Sequence, residues 1–159
     1  MNAIGAIIVV SFAVVWIAAG ASQLDRRWFV TLLALAILIS GAIIFAAIRI
    51  PFGRHSAGFN GRIYGIFVML EFIAIFIAVI FLNRTGRTEY LMPVMALIVG
   101  AHFFGMVPAL RSNDFWWVGG VMCALPLATM SILPQKVWSP VVGIGCAMIL
   151  WLSALRAFF

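Results

Sequence analysis

Two side chains stand out as able to do chemistry. Glu71 sits in YGIFVMLEFIAIFIAVIFL and His102 in LMPVMALIVGAHFFGMVPAL, each with apolar residues on both sides for more than a turn. A carboxyl group beside an imidazole can form an ion pair, share a proton or hold a cation, and the surroundings set the charge of both. In hydrocarbon such groups are costly. A charge at the centre of a membrane helix costs roughly 2.5–3.5 kcal/mol on insertion scales, so ionisable residues there usually face protein and often mark a pathway.

Helical spacing places Glu71 on the stripe Tyr64, Phe67, Val68, Glu71, Ala74, Ile75 and Ala78. Ala74 and Ala78 are small and one turn apart, which lets another helix come close. His102 lies on the stripe Met95, Ile98, Val99, His102, Gly105, Met106 and Ala109. Gly105 leaves room beside the imidazole, and Met106 supplies a polarizable neighbour. Tyr64, Met95, Gly105 and Met106 are therefore the candidate lining of a site centred on Glu71 and His102.

Both residues must be carried by elements that cross a membrane. The 159 residues are 66% hydrophobic and 9% charged, with a mean hydropathy of +1.22. A soluble domain is about 45–50% apolar and about 25% charged. Roughly 20 apolar residues, at ~1.5 Å each, span a hydrocarbon core of ~30 Å. Six segments reach that length, at approximately 3–22, 28–50, 63–82, 90–110, 115–134 and 138–158. The expected fold is an all-α integral membrane protein, a single compact bundle of six transmembrane helices. Its loops are short, which predicts that consecutive helices are antiparallel neighbours. Strands of barrel type, with period-2 alternation, are not evident.

This architecture sets the depth of the two residues. Glu71 is eight residues into the third span, ~12 Å at 1.5 Å per residue, and His102 about twelve residues into an antiparallel fourth span, ~18 Å. In a core of ~30 Å those depths coincide. A Glu71–His102 contact is thus geometrically allowed. It would be a proton or substrate site, or an interhelical tie of the kind that averages near ~0.6 kcal/mol. Two ligands from two helices are too few for a closed metal site, so neither a metal nor another cofactor is expected.

The net charge of +6 is expected to meet anionic lipid rather than nucleic acid. Arg49, Arg54, Arg62, Arg111 and Arg156 would lie on one side, and Arg26, Arg27, Arg84, Arg87 and Lys136 on the other. Five against five barely discriminates an orientation, with a slight lean to termini inside from the long second loop. That loop, GRHSAGFNGR, offers Arg54, His55 and Arg62 as headgroup or anion contacts, though its glycines make no phosphate-loop pattern. Trp28, Tyr64, Tyr90, Phe115-Trp116-Trp117 and Trp138 open predicted spans and read as interfacial belts. Cys123 and Cys146 fall within apolar runs and make no CxxC.

Three function classes are compatible with these features. One is a small-solute or proton-coupled transporter or channel, as a homo-oligomer or part of a larger membrane complex, in a bacterial inner membrane. A second is a non-catalytic subunit, assembly factor or scaffold in which Glu71–His102 is structural. An enzyme ranks last, because no HExxH or nucleophile–base set is present.

Overall fold

A computed structural model describes residues 3–49, 60–110 and 113–156. They form six α-helices: α1 Ala3–Ala21, α2 Arg26–Arg49, α3 Gly61–Arg84, α4 Leu91–Leu110, α5 Asp114–Ile132 and α6 Trp138–Arg156. Single 3-10 turns, Thr88–Tyr90 and Gln135–Val137, lead into α4 and α6. The segments containing α2 to α6 are long and apolar enough to cross a membrane. α1 has 19 residues and no charge; within it, Ile7–Ala21 is a shorter apolar run. The chain is a helical bundle of a multi-pass membrane protein.

Helix ends follow local chemistry. Asn60 caps α3, its side chain accepting from the Ile63 N–H at 3.2 Å. The other end of α3 closes with Gly86 at φ +69°. There the Gly86 N–H donates to Asn83 O and the Arg87 N–H to Leu82 O. This pair of reverse bonds satisfies the last carbonyls and favours a residue without Cβ at the left-handed position. Pro93 lies in the first turn of α4, where its missing N–H costs nothing. Pro108 and Pro126 lie inside α4 and α5.

The packing order differs from the sequential one. α6 is the hub, packed on α1, α5 and α4, while α2 leans on α1 and α3 on α4. Consecutive helices are neighbours except α2 and α3, which make no substantial contact. The expectation that every loop joins neighbours therefore fails once. Eleven residues separate Arg49 from Gly61, and a stretch of that length can reach at most about 35–40 Å, so it does not force the two helices together.

The core sits between α1, α4, α5 and α6, with Ala13, Ala96, Met122, Val142, Cys146 and Ala147 fully enclosed. Two close backbone approaches make it dense. Gly20 of α1 meets Gly143 of α6, and the Ser139 hydroxyl donates to Gly20 O at 3.4 Å. Gly100 of α4 fits against the Cys123 backbone and sulfur on α5. Small residues at these crossings let helices gain dispersion energy where lipid offers no hydrophobic drive. α2 and α3 form the periphery, and their outward Leu38, Phe45, Phe72 and Phe76 are exposed. In a bilayer that surface meets acyl chains.

The aromatic belts divide. Trp28 and Trp116 are exposed, whereas Phe115 and Trp138 are buried. Phe115 stacks on Phe103 with centroids 5.8 Å apart. The Trp138 indole N–H donates to Leu133 O at 2.9 Å, and its ring meets Tyr90 edge-on. Those two rings are packing elements rather than headgroup anchors.

Candidate functional site

The site lies on the seam between α3 and α4. The tight turn after Gly86 makes these helices an antiparallel hairpin. Measured from that turn, Glu71 lies thirteen residues back from Arg84 and His102 eleven residues on from Leu91, or roughly 16–20 Å deep in each case. The turn therefore sets both residues at one level.

The side chains meet: His102 Nδ1 is 3.3 Å from a Glu71 carboxyl oxygen. The same Nδ1 is 3.2 Å from the backbone carbonyl of Phe67. A carbonyl can only accept, so Nδ1 carries the hydrogen and donates to it. One turn of α3 thus sets the Phe67 carbonyl, which accepts this N–H, and the Glu71 carboxyl, 3.3 Å away, beside one nitrogen of α4. In the neutral ring Nε2 is left as an acceptor.

Phe67 supplies the second contact as well. Its ring lies against Gly105, so closely that a Cβ there would overlap the ring carbons. The space that Gly105 leaves beside the imidazole is filled by Phe67. Met106 is buried one turn on, in an apolar cluster with Ala109 and Phe115 that Tyr64 and Phe67 pack against. Tyr64 stands two turns from Glu71, so it belongs to that cluster rather than to the polar pair. Met95, two turns from His102, lines a recess near the membrane face instead, with Gln23, Thr88 and Glu89. Of the four candidate lining residues, Gly105 and Met106 lie one turn on from His102 on its own stripe.

The pair is nearly enclosed, with the His102 side chain 11% exposed and that of Glu71 18%. Two surface recesses lie elsewhere, one at Arg26, Arg27, Val30 and Thr31, the other being that of Met95, about 240 Å³. Neither is lined by Glu71 or His102. Among the described residues no cluster of three His, Cys, Asp or Glu side chains could hold a metal ion.

Of the headgroup candidates, Arg62 is exposed in the first turn of α3; Arg54 and His55 lie outside the described residues. The spacing of Phe67, four before Glu71, and Gly105, three after His102, is the signal that could have revealed the Phe67 contact. Compared with protein-family models, curated proteins and solved structures, the chain matches none.

Proposed function

We propose that the protein moves protons across the membrane, with or without a coupled small solute, using Glu71 and His102 as the group that takes up and releases the proton. The observation that carries this reading is the 3.3 Å approach of an imidazole nitrogen to a carboxyl oxygen, at a depth where neither group is solvated by bulk water. A carboxylate beside an imidazole can hold one added proton as a neutral pair or as a contact ion pair, so the protonated site carries no isolated charge in hydrocarbon. A bacterial inner membrane, where a proton gradient is available, is the proposed setting, and a homo-oligomer or larger membrane complex the proposed assembly.

The test uses the purified chain in liposomes with a pH gradient and an internal pH dye. The wild type should dissipate the gradient faster than protein-free vesicles. Glu71→Gln and His102→Ala should return the rate to that of empty vesicles while remaining folded. A Glu71→Gln variant with undiminished flux would sink the reading.

A second reading is supported by the bond from His102 to Phe67 O. That bond, with the Glu71 contact, ties α3 to the one helix on which it is chiefly packed, and in this reading the pair is an interhelical clamp in a non-catalytic subunit. Loss of stability with no flux in any form of the protein would favour it.

A further inference from the structure

The residual exposure of Glu71 and His102 has to open somewhere. α3 is a peripheral helix whose one buried residue is Leu82. The residues beside Glu71 on its outer faces, Leu70 and Phe72, are 51% and 64% exposed. On α4, Ala101 next to His102 is also exposed. On the stripe of α3 that carries Glu71, the next turns hold Ala74, Ile75 and Ala78, all half-buried. The two recesses at the membrane faces do not reach the pair. At a depth of roughly 16–20 Å in a core of ~30 Å, the medium beside α3 is acyl chain.

The hydrogen bonds define what could bind there. Nδ1–H bonds the Phe67 carbonyl, and a Glu71 carboxyl oxygen lies 3.3 Å from the same nitrogen. With a neutral ring and an ionised Glu71, the positions that hold no hydrogen are Nε2 and the carboxylate oxygens, and all are acceptors. No lysine or arginine forms an ion pair with Glu71 among the described residues. His102 is the titratable group that faces it from α4, the helix on which α3 packs. A carboxylate in that position is compensated by a proton or by a cation that donates hydrogen bonds.

We infer that the Glu71–His102 pair is a lateral binding site for lipophilic ammonium compounds, amphiphiles whose charged amine reaches the pair from within the bilayer along the outer edge of the α3–α4 seam. This rests on the proton-transfer reading and names its substrate class. Binding exchanges one cation for another. The O–H bond of the protonated Glu71 carboxyl breaks, its proton passes to the aqueous phase, and the carboxylate pairs with the R–NH3+ group; no covalent bond forms.

The experiment uses the full chain in nanodiscs with dodecylammonium as probe, followed by calorimetry and by proton release in weakly buffered solution. Bare nanodiscs supply the correction for partitioning into lipid. Wild type should show saturable binding with about one proton released per amine bound. Ethylammonium, which stays in water, should neither bind nor compete. Glu71→Gln should weaken dodecylammonium binding at least tenfold and abolish the proton release. Glu71→Asp, which keeps the charge, should retain part of both. Equal binding by wild type and Glu71→Gln, no saturable binding by wild type, or competition by ethylammonium would each overturn the inference. Proton flux in liposomes without amine binding would sink this site assignment and leave the proton-transfer reading standing. Amine binding without flux would do the reverse.

Discussion

Gly20 and Gly143 meet backbone to backbone. A Cβ on Gly20 would lie 2.6 Å from the Cα of Gly143, and one on Gly143 2.5 Å from the Cα of Gly20. Backbone cannot step aside as a flexible side chain can, so α1 and α6 would have to separate. Gly143→Ala should cost about 1–3 kcal/mol, the usual range for overpacking, measured as reversible unfolding in detergent. Gly41, with open space around a Cβ, is the control: Gly41→Ala should leave stability level or slightly raised.

Gly105→Ala should act on the site as well as the fold. A methyl group there collides with the Phe67 ring, whose own carbonyl bonds His102. The expected loss is again about 1–3 kcal/mol, together with slower proton flux. Phe67→Leu in the same chain, with a smaller side chain facing the new methyl, should recover part of the stability. A double-mutant cycle showing no coupling between positions 67 and 105 would refute the contact.

Glu71→Gln should separate the two readings of the polar pair. The amide oxygen can still accept from His102 Nδ1, so stability should change by no more than about 1 kcal/mol, within the range for interhelical hydrogen bonds in membranes. Flux in liposomes should fall to background. A large stability loss, with no flux in either the variant or the wild type, would identify a clamp.

Ser40 joins three helices. Its hydroxyl donates to Val10 O on α1 at 3.4 Å and accepts from the Trp151 indole N–H on α6 at 3.1 Å. Ser40→Ala leaves that N–H without an acceptor, which costs about 1–3 kcal/mol where no water replaces it. Unfolding in detergent should show the loss, and proton flux should be unaffected because the site lies on α3 and α4.

Much of this fold is legible in the sequence for a simple reason. A bilayer demands a minimum apolar length, so the six predicted spans agree with α1 to α6 to within about two residues at either end. The depth match of Glu71 and His102 follows from rise per residue once the loop between them is short. The hub role of α6 does not follow. The spacing Ser139, Gly143, Ala147 marks a face for close approach, but nothing local says that α1 fills it. The separation of α2 from α3 was hidden for the same reason, since a loop of eleven residues permits contact without requiring it. At the site, Phe67 and Gly105 are each visible on the correct stripe. Their interlock is not, because it depends on the rotation of two helices about their axes, which periodicity fixes only to a face.

The pairing of α1 with α6 also bears on biosynthesis. Gly20 and Gly143 are separated by roughly 120 residues, and ribosomes add about 5–20 residues per second. The first helix must therefore wait some 6–25 s before its partner is made. Through that interval its glycine notch faces lipid or the translocation machinery.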